Sequence, residues 1–428
     1  MRGMKNSGIK WIGNIPSSWC VLPFYAFLDN RVDAIADGPF GSDMKNEEYV
    51  EEGVPIIQLG SIRDNGMDFS RMNYITDEKA DTLLRHNAFP HNIAIAKMMP
   101  AGKACEVPDK YPRYVVSADV IRAYVTDKTI RSFLIYALNS YATKQAEIES
   151  QGSTRARVNI AKVKRFKIAF PSNAQDISSI ISYLDSKCEE IDAISADIRS
   201  EIDILEEYKK SVIAEAVTKG INHNQQTKDS GIEWIGDIAT GYEVLKLKYM
   251  ADILDQYRSP IAADKRSQEA ETLYDYYGAS GVIDKIDGYT IDDHVMLIGE
   301  DGANLRMRNL PLMYEVNGKA WINNHAHILK PKNITSFYYL FYTLESIDIN
   351  PYITGSAQPK LSQEKLKEIK LPAPEFIEQE EIAQYLIEKV PEIDSLIIEM
   401  NSLVEIINEY KHSLIYEYIT GKKEAPLA

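Results

Sequence analysis

Cysteine is scarce in this chain. Its 428 residues hold three, Cys20, Cys105 and Cys188, odd in number and far apart, which excludes a disulfide framework and a cysteine zinc site. Long apolar runs are missing too. None approaches the ~20 residues of a membrane span, and Met1-Arg2-Gly3-Met4 leads into polar residues instead of the apolar core of a secretory signal. A reducing, cytoplasmic setting is the expectation. The phosphate-cradling pattern Gly-x-x-x-x-Gly-Lys-Ser/Thr does not occur, and Pro108-Asp109 has no nearby Asp/Glu-x-Lys to complete a nuclease site. His325 and His327 alternate along one strand with no carboxylate or cysteine at ligand spacing, so hydrogen bonding is expected of them before metal binding. A hydrophobic content of 45% and an aromatic content of 10% are those of a globular protein, and the length suffices for two or three cores.

What the chain does have is one long amphipathic stretch, Asp176 to Thr218. Ile177, Ile181, Leu184, Cys188, Ile191, Ile194, Ile198, Ile202, Leu205, Tyr208, Val212 and Ala216 recur in steps of three and four, the narrow seam of a helix that packs on another helix, as in a coiled coil. At 1.5 Å per residue it spans about 60 Å. The partner lies in the same chain. Ile382, Leu386, Ile393, Leu396, Met400, Leu403, Ile407, Tyr410, Leu414 and Tyr418 repeat the seam at an offset of 202, with Glu207-Tyr208-Lys209 returning as Glu409-Tyr410-Lys411. Two equivalent seams bury each other most simply about a pseudo-two-fold axis, which predicts an antiparallel pair. Pro391 stands where the first copy has Glu189, and a kink or restart is expected there.

The net charge of -15 is concentrated in these helices. Asp176 to Thr218 holds 11 acidic and 4 basic residues and Glu375 to Tyr418 holds 11 and 2, which leaves the remainder of the chain close to neutral. The acid is therefore no argument against nucleic acid elsewhere. It reads as a solvated outer face or as a docking surface for a basic partner.

The repeat begins before the helices. Ser7-Gly8-Ile9-Lys10-Trp11-Ile12-Gly13-Asn14-Ile15 returns as Ser230-Gly231-Ile232-Glu233-Trp234-Ile235-Gly236-Asp237-Ile238 at an offset of 223. The chain is thus two tandem copies, each an opening motif, a variable body and a long helix, and the first body is the longer by about 21 residues. The pattern divides it into a first body at 1-172, a central helix at 173-220, a second body at 221-374 and a C-terminal helix at 375-428. In the first body Gly38-Pro39-Phe40-Gly41-Ser42 reads as a loop, Val54 to Gln58, Ile93 to Lys97 and Tyr114 to Val125 as strands, and Ser132 to Ile148 as a helix. In the second, Asn317-Gly318 reads as a hairpin turn with Trp321 to Ile328 as the returning strand, and Ser336 to Glu345 as the matching short helix.

No convincing catalytic constellation remains. Asn350-Pro351-Tyr352 lacks the second proline of the Asn-Pro-Pro-Tyr found in DNA adenine methyltransferases, and no glycine-rich cofactor loop accompanies it, so it reads as a turn. Residues 150–170 carry six basic side chains and no acidic one, beside Gly152-Ser153-Thr154-Arg155-Ala156-Arg157, a surface suited to phosphate as well as to water. Asn323, Asn324, Gln358, Arg306 and Arg308 are able to pair with base edges, while Lys360, Arg155 and Arg157 suit phosphates. Lys45, Asn46, Gln58, Arg63, Lys97 and Lys103 in the first body, and Tyr276, Tyr277, Ser280 and His325 in the second, complete the candidate DNA-facing set.

Together, the repeated Ser-Gly-Ile-x-Trp-Ile-Gly, Gly38-Pro39-Phe40-Gly41-Ser42, Tyr277-Gly278-Ala279-Ser280-Gly281, Asn323-Asn324-His325-Ala326-His327 and the Pro-x-x-x-x-x-Glu-Gln of Pro372 to Gln379 resemble the specificity (S) subunit of type I restriction-modification enzymes. The first copy departs from that pattern at Asn173-Ala174-Gln175-Asp176. The resemblance implies an α+β fold, with two mixed α/β target-recognition domains related by pseudo-two-fold symmetry and joined by two long antiparallel helices. It implies that each domain reads half of a bipartite site in double-stranded DNA, and that the helices hold two modification (methyltransferase) subunits. Restriction subunits join them, with S-adenosylmethionine, ATP and Mg on the partners and no cofactor or catalysis in this chain. Two other readings stay open on sequence: a DNA adenine methyltransferase with a diverged catalytic domain, and a stand-alone bipartite DNA-binding regulator.

Overall fold

The computed structural model describes residues 3–39, 43–64, 66–98, 100–149, 156–222, 225–263, 266 and 271–426. They divide into two compact units, Met1–Asp197 with Leu403–Ala428, and Ile198–Ser402.

The first unit opens on a hairpin, Met4–Asn6 against Asn14–Pro16, and the repeated motif is its turn. Gly8 and Gly13 stand at φ of +73° and +70°, a conformation that glycine adopts without a steric cost. Ser7 donates its backbone N–H to Gly13 O at 3.0 Å and its hydroxyl to Ile9 O at 3.3 Å, which turns Ile9, Ile12 and Ile15 into the core with Trp19. The strands that frame the body are β1 (Cys20–Pro23), β2 (Ile35–Asp37), β3 (Val54–Ile57), β4 (Asn73–Ile75), β5 (Asn87–Ala88), β6 (Ile93–Ala96), β7 (Ala104–Glu106), β8 (Tyr114–Val116), β9 (Val120–Ala123) and β10 (Lys167–Phe170). They make one sheet in the order β7-β6-β9-β2 and another in the order β4-β3-β8-β5, in which β3 and β8 run parallel. β1 and β10 pair antiparallel, Cys20 opposite Phe170, so the chain enters and leaves the body through one two-stranded staple.

The expected single strand Tyr114 to Val125 is two. Ser117 donates its N–H to Ile57 O across the parallel pair at 2.9 Å, and Val120 N–H closes a turn on Ser117 O at 3.0 Å, which carries the chain from one sheet to the other. The expected helix Ser132 to Ile148 starts earlier. α1 (Lys128–Ala137) is capped by the Asp127 side chain and runs through a π turn at Leu138–Ala142 into α2 (Thr143–Glu149). It lays Phe133, Leu134, Ala137 and Leu138 on the core, where Phe133 meets Trp19 and Phe170 edge-on at 6.3 and 5.3 Å. A short helix, α3 (Ile160–Lys164), precedes β10. The long helix α4 (Ala174–Lys219) follows, 46 residues without interruption.

The second unit repeats the plan. Ser230 donates its N–H to Gly236 O at 3.0 Å and its hydroxyl to Ile232 O at 3.3 Å, with Gly231 and Gly236 at +70° and +63°. The body comprises β11 (Glu243–Lys246), β12 (Ala251–Ile253), β13 (Tyr274–Gly278), β14 (Gly281–Ile286), β15 (Ile291–Gly299), β16 (Met313–Ile322), β17 (Ala326–Pro331) and β18 (Lys370–Ala373). β11 and β18 form the staple, and the rest make a six-stranded sheet in the order β12-β17-β15-β16-β13-β14. The hairpin expected at Asn317-Gly318 is not there. β16 runs straight through both residues because β15 pairs with it on either side, Asp293 opposite Gly318 and His294 opposite Asn317. The ladder thus absorbs the +99° φ of Gly318. Helices α5 (Phe337–Ser346) and α6 (Gln363–Lys367) correspond to α1 and α3, and α7 (Phe376–Ile419) to α4.

α7 continues through Pro391 as one helix of 44 residues, so the expected restart is absent. Within the first unit, the start of α4 and the end of α7 lie antiparallel, with the Tyr183 and Tyr418 rings 4.6 Å apart and Lys411 bonded to Asp192. Within the second, Lys209 bonds Asp394 at 2.7 Å, and Ala216 and Val217 share a core with Ile382 and Leu386. The two ion pairs are equivalent at the offset of 202. Burial of the seam is uneven. Leu184 and Leu386 are wholly buried, whereas Ile194, Tyr208, Leu396, Leu403 and Tyr410 are exposed and Val404 is buried instead of Leu403. Three-four spacing defines a face, and the ends of each helix are where the cores cover it. At the start of α7, Gln379 is buried; its amide donates to Ile334 O and Pro374 O and accepts from Ser336 N–H. The Glu-Gln motif is therefore a polar latch on the first turn of α5. The first copy has Ile177 at that position, buried against apolar neighbours.

Candidate nucleic-acid interface

In the first body three of the candidate residues, Gln58, Lys97 and Arg157, adjoin the carboxyl ends of the parallel strands. Gln58 follows β3, and Ser117, Ala118 and Asp119 follow β8. Between these two loops lies an open pocket of about 350 Å³. Strands that leave a sheet in the same direction deliver their loops side by side, which is where α/β folds form ligand crevices. Beneath the loops Lys97 is buried, its ammonium bonded to Asp37 Oδ2 and to Ala118 O, both at 2.7 Å. Lys97 is thus a brace under the loop. On the rim Arg157 bonds Asp119 at 2.8 Å and is exposed. Lys45 and Asn46 are exposed at a 3-10 turn nearby in sequence, Arg63 bonds Asp68 at 3.0 Å, and Lys103 bonds Asp64 at 3.0 Å. Arg155, Gly152 to Thr154 and Phe40 to Ser42 lie outside the described residues.

The second body builds the corresponding place from other residues. Tyr277, Gly278 and Ser280 lie at the end of β13, and Asn323, Asn324 and His325 follow β16. Asn323 is buried and its Oδ1 accepts the His325 N–H at 2.7 Å, while Asn324 and His325 are exposed, His325 held 2.8 Å from Asp301. Under the loop is a charged network. Arg258 reaches Glu300 and the Asn324 carbonyl, and His327 lies 2.7 Å from Asp255 and 2.8 Å from Leu361 O. Lys360 bonds Glu300 at 2.9 Å from the exposed side. Arg306 donates to Gly355 O at 3.3 Å and Gln358 is exposed in the same loop. Arg308, at φ +51°, instead turns inward to the Ile347 and Glu345 carbonyls, and Tyr276 is buried with the Arg266 guanidinium over its ring at 4.4 Å. These two are part of the body's framework.

Asp37, Asp119, Asp255, Arg258 and Glu300 were not evident as members of the site. A signal existed, because offsets near 206, between those of the opening motif and the helix, map Asn323-Asn324-His325 onto Ser117-Ala118-Asp119. All three cysteines are free, and burial pushes the Cys105 thiol up to about 12. Among the described residues, no group of three or more His, Cys, Asp or Glu is placed to hold a metal ion, and no helix is long and apolar enough to cross a membrane.

The network in the second body has a consequence for acid stability. Burial alone would raise Asp255 and Glu300, yet the His327 hydrogen bond holds Asp255 below its ordinary 3.8, and those of Arg258 and Lys360 hold Glu300 below its ordinary 4.5. A carboxyl with a depressed folded-state pKa stabilises the fold above its unfolded value, and that contribution fades as pH falls through the folded value. Urea midpoints followed by tryptophan fluorescence should therefore separate wild type from Glu300→Gln at pH 7. The gap should begin to close as pH falls below the ordinary 4.5 and should vanish once pH is below the lower folded-state value. A gap that persists unchanged to pH 3 would show that ionisation of Glu300 does not stabilise the fold.

Comparison with known proteins agrees with this layout. The family model of the type I restriction modification DNA specificity domain matches residues 42–199 and again 240–393. A putative type I restriction enzyme MjaX specificity subunit from Methanocaldococcus jannaschii is 24% identical over 430 residues, covering 96% of this chain and 95% of that protein. A putative type I restriction enzyme specificity subunit from Haemophilus influenzae is 32% identical over 140 residues, a third of either chain. Among solved structures, a chain from a study of complex assembly and conformational transition of the type I R-M system shares the fold at a TM-score of 0.69. It is 15% identical, and the match covers 96% of this chain and 99% of that one. Since the family model matches each body together with the start of the long helix that follows it, this chain belongs to the type I restriction-modification DNA specificity family.

Proposed function

We propose that this chain selects the DNA sequence on which a type I restriction-modification complex acts, each body reading one half of a bipartite site. In this reading it docks two modification subunits and, with them, restriction subunits. S-adenosylmethionine, ATP and Mg act on those partners, and this chain supplies no catalytic group. Gln58, Asn324, His325 and Gln358 face base edges, and Arg157 and Lys360 face phosphates; Lys45, Asn46, Arg63, Lys103, Ser280 and Arg306 line the approach.

The observation that carries the reading is that the duplication extends to what is left exposed. Ile194, Ile204 and Tyr208 are 44%, 64% and 48% exposed, and their counterparts at the offset of 202, Leu396, Ile406 and Tyr410, are 44%, 61% and 58% exposed. Ile204, Tyr208 and Leu396 belong to one unit, and Ile406, Tyr410 and Ile194 to the other. Large apolar side chains left in water on a helix mark a docking surface when they cluster. The same set presented by each unit suits two copies of one partner. Native mass spectrometry of the chain mixed with its modification subunit should give one chain to two partners. A complex that saturates at one partner, or robust methylation by the chain alone, would overturn the proposal.

A further inference from the structure

The loops at the two crevices share no sequence motif, yet their backbones correspond bond for bond. Val116 lies beside Ile57 in the first body as Ile322 lies beside Tyr277 in the second. Ser117 N–H donates to Ile57 O at 2.9 Å, and Asn323 N–H to Tyr277 O at 3.1 Å. Lys97 N–H donates to Asp119 O at 2.9 Å, and Glu300 N–H to His325 O at 2.8 Å. Val158 N–H donates to Lys97 O at 2.9 Å, and Leu361 N–H to Glu300 O at 2.7 Å. Isolated bridges join Met98 to Arg157 and Asp301 to Lys360. The register therefore equates Ser117-Ala118-Asp119 with Asn323-Asn324-His325, Gln58 with Gly278, and Arg157 with Lys360. Even the braces correspond: Lys97 holds the carbonyl of Ala118, and Arg258 holds that of Asn324.

One frame that carries different side chains at the same positions is what a variable reader on a constant scaffold requires. We propose that the paired loops at the ends of the parallel strands are the base-reading element of each body. In the first body Asp119 is a specificity-determining residue, and it reads a base that carries an amino group on its major-groove edge, cytosine N4 or adenine N6. The inference rests on the DNA-reading function above. A carboxylate suits that task because it only accepts hydrogen bonds, and an exocyclic amino group is the donor that it meets in the groove. It would be repelled by phosphates, and the Arg157 guanidinium at 2.8 Å offsets that repulsion. The braced backbone beneath fixes the loop before DNA arrives, so little ordering entropy is lost on reading.

The test uses the complete complex with its modification subunits, expressed in a host without competing adenine methylation, and maps the methylated sites by sequencing. Asp119→Asn should leave the half-site read by the second body unchanged and relax one position of the other. There the preference for the amino-bearing base should fall by about 5- to 150-fold, the range of one good base contact; whether cytosine or adenine loses its advantage identifies the base. Gln58→Glu, on the opposite wall, should alter a different position of the same half-site. Asp109→Asn, outside the crevice, should change nothing. Methylation by an active Asp119→Asn complex of the original sequence alone, with its base preference unchanged, would overturn the inference and leave the DNA-reading function standing. So would loss of all duplex binding with partners still attached, because a base reader is dispensable for phosphate affinity. Failure of the wild-type complex to methylate any defined sequence would instead overturn the function itself.

Discussion

A hybrid that carries another relative's second body should methylate a sequence with one half-site changed and the other intact. Exchanging residues 248 to 374 would make such a hybrid, but the strand pairing at its ends calls for different limits. β11 and β18 pair through Glu243–Ala373, Val244–Pro372, Leu245–Leu371 and Lys246–Lys370, so a junction at 374 would set a foreign β18 against the native β11. Replacing residues 247–369 keeps the staple whole. Because the second body's crevice and the network beneath it are built from residues inside those limits, from Asp255 to Leu361, the change in specificity should be complete at that half-site. Sequencing of modified adenines reads both halves at once. Changes at both halves in a folded, active hybrid would show that the bodies do not read independently.

Charging the exposed helix residues should remove the partners one at a time. Ile204→Asp with Tyr208→Asp should leave one modification subunit bound, and so should Ile406→Asp with Tyr410→Asp; the four changes together should leave none and abolish methylation. Truncating a single well-packed aromatic or aliphatic anchor costs a complex about 2 kcal/mol or more, roughly 30-fold in affinity. Placing a carboxylate there should cost further. These side chains are exposed in the chain itself, so its own stability should shift by less than about 0.5 kcal/mol per site. Circular dichroism therefore separates loss of docking from loss of fold. Retention of two partners by the fourfold variant would rule out these positions as the docking surface.

The internal duplication, the long helices and the opening turns were legible because each rests on local periodicity or on glycine at fixed offsets. The expected hairpin at Asn317-Gly318 failed because a nine-residue partner strand overrode a local turn signal. The seam was only half right, since spacing tells which face is apolar and not whether anything covers it; Ile194 and Leu184 look alike in sequence and differ wholly in burial. The candidate site was read where side chains are chemically conspicuous, as in Asn323-Asn324-His325. Its equivalent Ser117-Ala118-Asp119 carries no conspicuous chemistry, and beyond an offset near 206 it is the ladder between β3 and β8 that brings it to the same place. Lys97 and Arg308 look like DNA contacts in a list of basic residues; burial sets Lys97 apart, and hydrogen bonds to the Ile347 and Glu345 carbonyls set Arg308 apart.

The staple has a thermodynamic consequence for what a body is allowed to be. Each body is a loop whose ends are already tied, β1 to β10 and β11 to β18. The entropy of closing a loop grows only as the logarithm of its length, so the difference of roughly 20 residues between the two bodies changes the closure cost by only about 0.1 kcal/mol. Size is therefore nearly neutral to the frame. What a new body must satisfy is a boundary condition, two strand ends about one sheet spacing apart, ~4.8 Å, with a short helix such as α5 to cover the long helices, after which the rest of it is free to diverge in length, topology and surface.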